Sequence, residues 1–370
     1  MPLIPTSQPI NATEGVDMIQ STDKVTAGYF TDGITKLPAS SMHSSSLDAT
    51  NETYYYGVAK DNSTGSAQFH VAYGNFLGKG GNSHGDDIKS PTEVVYKQWA
   101  GTLLAENEIT GGFIISSTAT NSAVTTGRDE ELYFLIGQRA NMGDRWNKKN
   151  WTLVLSGSNS ANLGAPKLHL TDDSATVKAT PTPAGPRYNI VSGSQGAVQS
   201  PASTRTFGWF YPDQGVMVFS GAELSASLPA SASNIGVPAT YRGTSVGHGF
   251  AGFGFDNSSE DKDYNNALRF VNCLKPPGAY IQARSETDLH SNAYFCRVHA
   301  GHYNFSTNPT FVSGSLNMIR ATTMKGNPVV FITGVEMYNT QGDMVAVAKL
   351  STPLKKTFSS EATIKNKLTF

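Results

Sequence analysis

Three times in this chain a run of strand-forming residues halts at a short cluster of turn formers and then resumes. Val329 to Tyr338 and Met344 to Leu350 flank Asn339-Thr340-Gln341-Gly342-Asp343; Phe207 to Tyr211 and Val216 to Phe219 flank Pro212-Asp213-Gln214-Gly215. The third case joins Tyr54 to Ala59 with Gln68 to Tyr73 across Lys60 to Gly65. Asn, Asp and Gly reverse a chain within a few residues, which ties neighbouring strands into antiparallel hairpins. Parallel strands need a long crossover between them, and no strand-helix-strand alternation recurs here. The chain is therefore expected to be mainly β, with antiparallel, sandwich-like sheets.

The closing residues, Ala362 to Phe370, alternate: Ile364, Asn366, Leu368 and Phe370 share one face, and Lys365 and Lys367 the other. That alternation predicts a half-buried final strand tied into a sheet, so that the hairpin and this segment form a three-strand ending.

Helices are few. Ser90-Pro91-Thr92-Glu93 has the form of a capping box, opening a helix whose apolar stripe is Val95, Trp99 and Leu103, with Val94 and Leu104 beside it. Ser258 to Asp263 reads as the cap of a second helix bearing Tyr264, Leu268 and Val271. Residues 1–50 carry Pro2, Pro5, Pro9 and Pro38 without sustained periodicity, and read as an extended N-terminal arm, either a tether that orders on a neighbouring subunit or a locally packed extension. The expected organisation is this arm, a β-rich core over 51–260 with a helix near 90–104, and a segment 261–370 of one helix plus antiparallel strands completing the core. Gly111 to Ser117 reads as an apolar strand, Glu131 to Gly137 as a central one, and 158–205 as long loops or a weak excursion.

The net charge of −1 and pI near 6.7 argue against a large phosphate-binding surface, so nucleic acid is not an expected partner. No apolar run reaches membrane-spanning length and Met1 to Pro5 lacks a signal-peptide pattern, so no membrane partner is expected and synthesis in a cytoplasm is. Charged residues make up only 15%, a composition suited to loop-rich β proteins of surfaces and particles. Cys273 and Cys296 lack a second pair at zinc spacing and are expected as buried thiols, with a disulfide between them as the competing reading.

His84, Asp86 and Asp87 precede a helix without a second ligand cluster, and His299 and His302 lie three apart on a segment read as a strand, where they share a face poorly. Gly247, Gly249 and Gly252 spell G-x-G-x-x-G, but the glycines alternate with aromatics and no helix directly follows. Asp256, Asp261 and Asp263 miss the spacing of a calcium loop. Arg145, Trp146, Lys148 and Lys149 form a basic cluster that reads as a solvated loop, with an acidic partner as the competing reading. No G-x-S-x-G nucleophile elbow, P-loop or HExxH is expected. The expectation is no catalytic, cofactor-binding or metal site and no enzymatic activity.

Four runs resemble the virion structural proteins of large contractile-tailed bacteriophages, tail and baseplate components among them. They are ITGVEMYNTQGDMVAVAKLSTPLKK with IKNKLTF, YGNFLGKGG leading to SPTEVVYKQWAGTLL, RANMGDRWNKKNWTLVLSG, and the aromatic-Tyr-Pro-Asp-x-Gly hairpin followed by Ala222, Glu223 and Leu224. The resemblance implies an oligomeric structural subunit of a virion, assembled in the host cytoplasm through arm exchange and sheet contacts, with other virion proteins or copies of itself as partners. A head-decoration or neck component is the same class at another address. A polysaccharide-binding or -degrading β module is the competing class, and it requires Trp146, Trp151 or Trp209 exposed near carboxylates.

Overall fold

The computed structural model describes residues 18–44, 55–61, 65–77, 91–115, 127–155, 168–199, 205–227, 267, 270–271, 273–274, 277–314 and 318–370. Its strands are β1 Met18–Gly28, β2 Lys36–Pro38, β3 Met42–Ser44, β4 Tyr55–Lys60, β5 Ala67–Asn75, β6 Glu131–Gly137 and β7 Arg145–Trp146. They continue as β8 Thr152–Leu155, β9 Leu168–Asp172, β10 Thr180–Thr182, β11 Gly185–Ser194, β12 Ala197–Val198, β13 Gly208–Tyr211 and β14 Val216–Ser220. The last five are β15 Tyr280–Gln282, β16 Arg284–Val298, β17 Val329–Tyr338, β18 Met344–Thr357 and β19 Ala362–Thr369. The helices are α1 Pro91–Leu103, α2 Glu106–Ile109 and α3 Gly221–Ser227. The protein is mainly β and its named strand pairs are antiparallel. Two compact units divide it: Val25–Thr287, and Met1–Lys24 with Asp288–Phe370.

In the unit Val25–Thr287, one large sheet runs β2-β15-β8-β9-β11-β13-β14-β6-β5-β4-β3, with β10 and β12 attached to β11. Its two end strands, β2 and β3, are separated only by a 3-10 turn, Ala39–Ser41. The turn reaches both ways: Ala39 N–H donates to Ala279 O at 3.0 Å, and Ser41 O accepts from Asp61 N–H at 3.0 Å. The sheet is thereby nearly closed.

Side-chain alternation then decides what lies on each face. Phe69, Val71 and Tyr73 of β5, Tyr133 and Leu135 of β6, and Met217 and Phe219 of β14 join one core with Trp146, Trp151 and Phe210. Their neighbours Ala72, Leu132, Phe134, Val216 and Val218 enter a second core on the opposite face. Apolar residues on both faces explain the near-continuous runs of these strands. Helix α1 covers the second face. Tyr96, Ala100 and Leu103 are buried there, Trp99 stacks on Phe134 at 5.7 Å, and Val94 points to solvent, which removes it from the expected stripe. Close approach needs Gly74, where a Cβ would lie 2.9 Å from the Phe134 ring and 3.0 Å from Tyr96 N.

Four expectations change. The segment 158–205 holds β9 to β12, and β9 and β11 are inner strands of the sheet. Their polar residues are tied to the frame: Thr171 Oγ1 donates to Trp151 O at 2.9 Å, and Asp173 accepts from Asn189 N and Nδ2 at 3.0 and 2.8 Å. Residues 111–115 form no strand; Phe113 and Ile115 are buried while Asp129 caps the backbone, accepting from Ile115 N at 2.7 Å. Of the region 1–50, the described residues 18–44 are divided: β1 is exposed along nearly its whole length, whereas Tyr29, Phe30, Leu37 and Met42 are core residues. The basic cluster is packed rather than solvated at all but Lys149, which is exposed. Trp146 is fully buried, Arg145 bridges Glu286 and Asp213 at 3.1 and 3.3 Å, and Lys148 donates to Tyr188 Oη at 3.1 Å.

In the unit Met1–Lys24 with Asp288–Phe370, β19 pairs with β16 from Ser291↔Thr369 to Val298↔Ala362. Strands β17 and β18 form a separate two-stranded sheet, so the three-strand ending divides into a hairpin and a strand paired elsewhere. Ile364 and Asn366 are buried with Lys365 and Lys367 exposed, as the alternation predicts; Phe370 is exposed.

Candidate interaction surface

The hairpin β17–β18 begins from its turn. Gly342 adopts φ +89°, Asn339 Oδ1 accepts from the N–H groups of Gln341 and Asp343 at 3.0 and 2.8 Å, and Asn339 N–H donates to Asp343 O at 2.9 Å. An asparagine side chain mimicking backbone, with a glycine at positive φ, fixes the reversal. Pairing then starts at Tyr338↔Met344, shifts register past Val345, runs from Met337↔Ala346 to Gly334↔Lys349, breaks at a second bulge, and resumes from Ile332↔Leu354 to Val329↔Thr357. Pro353 lies in this second bulge, where its missing N–H costs the ladder nothing.

The root is clamped. Lys356 is fully buried, and its ammonium donates to Ala300 O at 2.9 Å, Asn304 Oδ1 at 3.0 Å and Thr357 O at 2.9 Å. Three donors meet three neutral acceptors, which satisfies the ammonium's hydrogen-bonding capacity. Val330, directly opposite Lys356, is buried beside it.

Beyond the root the ribbon turns apolar side chains to solvent. Val345 is 63% exposed, Val347 68%, Phe331 57% and Tyr338 54%. A two-stranded ribbon is marginal alone, and an uncovered apolar strand offers its backbone and side chains to another chain. The other face, with Val335, Met337 and Ala346 half-buried, borders a groove of about 290 Å³ whose opposite wall is β19. Lys349, Lys365 and Lys367 line that groove and no carboxylate does. Lys367 meets Asp23 of β1 at 2.7 Å, and Lys365 lies 5.8 Å from the Phe295 ring centroid.

The other candidates fall out as follows. His299 and His302 are near each other, ring centroids 5.7 Å apart, with His299 Nδ1 3.7 Å from Glu361. Among the described residues no group of three His, Cys, Asp or Glu is placed to hold a metal ion. Cys273 is buried, Cys296 half-buried, and they form no disulfide. Tyr55 is half-buried, donating to Gln98 Oε1 at 2.9 Å, and Tyr56 is buried. Ser90, Tyr54, the loop with His84, Asp86 and Asp87, the glycines 247, 249 and 252, and Asp256, Asp261 and Asp263 lie outside the described residues. So do two formal G-x-S-x-G stretches, Gly81 to Gly85 and Gly243 to Gly247. Of the second helix, Ala267, Phe270 and Val271 are described as helical and buried.

The four tryptophans bear on the glycan alternative. Trp146 and Trp151 are fully buried, Trp209 lies under the Arg187 guanidinium at 3.9 Å from its ring, and Trp99 is packed on Phe134. Trp146, Trp151 and Trp209, the residues that alternative requires exposed, are all buried. Among the described residues no helix is long and apolar enough to cross a membrane. Sequence reading missed the Lys356 clamp and the exposure of the ribbon; the one available signal was that β18 lacks the polar alternation a half-buried strand carries. No family model, curated protein or solved structure matches this chain.

Proposed function

We propose that this chain is a structural subunit of a bacteriophage virion, in the tail or baseplate, which assembles through sheet contacts and arm exchange. The observation that carries the reading is the hairpin β17–β18, pinned at Lys356 and apolar on its solvent face. Such a face is stabilised when a second surface removes it from water, at about 25 cal/mol per Å² of apolar area. The virion setting rests on the four sequence runs described above. The ribbon's own sequence, Ile332 to Lys356, is one of them.

The test is localisation and association. Particles are imaged and crosslinked, and the purified full chain is sedimented over a wide concentration range. Ordered copies in a tail, with the ribbon against a neighbouring subunit, support the reading; ordered copies on a head or neck move its address. A chain that stays monomeric throughout and is absent from particles defeats it.

A further inference from the structure

Lys356 and Asn304 bring an amine and a carboxamide together at the root of the ribbon. Lys356 is fully buried, and its Nζ lies 3.0 Å from Oδ1 of Asn304, whose Cγ is one bond further on. Ala300 O accepts from that Nζ at 2.9 Å and from Nδ2 of the same Asn304 at 2.7 Å, so one carbonyl holds a nucleophile beside the leaving group of an amide. Tyr303, the residue before Asn304, takes φ +53°, a left-handed conformation that costs a tyrosine free energy and is kept here. The nitrogen also carries a charge without a counter-charge: its three acceptors are neutral, and among the described residues no carboxylate pairs with it. An ammonium withdrawn from water in this way is costly even when hydrogen-bonded, and acylating its nitrogen removes the charge.

We propose that Lys356 and Asn304 join in an isopeptide bond, a crosslink made by the folded chain itself. The amine, having released one proton, attacks Asn304 Cγ; the Nζ–Cγ bond forms, the Cγ–Nδ2 bond breaks, and Nδ2 departs as ammonia carrying a second proton from Nζ. With the released proton counted, an ammonium and a carboxamide become a secondary amide and an ammonium ion, and no oxidant or reductant takes part. A turn of the Asn304 carboxamide about its soft final torsion presents the face of Cγ to the nitrogen. Fixed proximity supplies the rate, since well-oriented intramolecular reactions reach effective molarities of about 10⁵–10⁸ M. The bond closes a ring through residues 304–356 that contains β17 and nearly all of β18. Tension passing from β16 to β19 then crosses the new bond and leaves the ribbon unloaded.

The experiment is mass spectrometry of the purified full chain, intact and after trypsin, following incubation at neutral and at alkaline pH. The expected intact mass is lower than that of the unlinked chain by one ammonia. The expected digest holds a branched peptide that joins the segment with Asn304 to the segment with Lys356 and is uncut after Lys356. Asn304→Asp loses one water instead, because a carboxyl replaces the carboxamide as electrophile, and Lys356→Arg keeps its full mass. Formation is faster at the higher pH, where more of the attacking neutral amine is present. Full mass with ordinary cleavage after Lys356 in every sample overturns the inference. So does ammonia loss without the branched peptide, which marks a cyclised asparagine. Either failure leaves the assembly reading standing, since that reading rests on the exposed face of the ribbon.

Discussion

Two short strands of nearly the same character meet opposite fates in this molecule. Val216-Met217-Val218-Phe219-Ser220 of β14 is buried at every position, between β13 and β6 and under apolar groups on both faces. Met344-Val345-Ala346-Val347-Ala348 of β18 has one partner strand and keeps four of its five residues exposed. Strand propensity specifies extended backbone in both, and only the neighbours decide how much water each loses. The closed sheet supplies its own neighbours. Among the described residues each strand of the ribbon has one partner strand and no second, so the first region reads as scaffold and the second as exposed surface.

That contrast yields measurements of graded size. Trp151→Ala removes a fully buried indole packed on Phe210 and lowers unfolding free energy by about 3–5 kcal/mol in denaturant titration, with assembly lost only through unfolding. Gly74→Ala forces a Cβ against Phe134 and Tyr96 and costs about 1–3 kcal/mol, with the loss seen in hydrogen exchange of α1 and β5; an unchanged exchange pattern would show that the helix has more freedom than its packing implies.

A gentler lever is pH. Burial holds the carboxyls of Asp172 and Asp173 above their ordinary value of 3.8. As pH falls through the window above that value, the native state takes up protons before the unfolded chain does, so these two groups raise stability toward acid and withdraw it as pH rises. Asp172→Asn with Asp173→Asn flattens that part of the profile, and carboxyl NMR titration midpoints at or below 3.8 would contradict the assignment. Smallest in stability is Val345→Glu with Val347→Glu on the ribbon, which shifts unfolding by no more than about 0.5 kcal/mol yet abolishes association in sedimentation. If that pair instead destabilises the chain as Trp151→Ala does, the ribbon is core and the comparison fails.

Local signals carried part of this architecture. The turn at Asn339 to Asp343, the Pro212 to Gly215 hairpin and the alternation over Ile364 to Leu368 were legible because each is written in adjacent residues. The partner of β19 was not, since alternation gives a strand its faces and says nothing about which strand lies alongside; β16 is some seventy residues earlier. Strands β9 and β11 were hidden by their Ser, Thr, Asp and Gly content, which reads as loop until Asp172, Asp173 and Thr171 are seen bonded to the frame. The contact surface was half legible. Its residues were named as a hairpin, but their exposure follows from the absence of a second pairing strand among the described residues, a global property.

The three-residue junction Ala39–Ser41 has a mechanical consequence. A sheet with an open edge yields to tension by peeling, one strand at a time, each rupture lowering the load needed for the next. Where the two end strands are tied by so short a link, neither can be drawn off the sheet without straining the other, and the hydrogen bonds of both are loaded together. A sheet tied in this way resists being opened from its seam, while a two-stranded ribbon has only its own ladder to hold it.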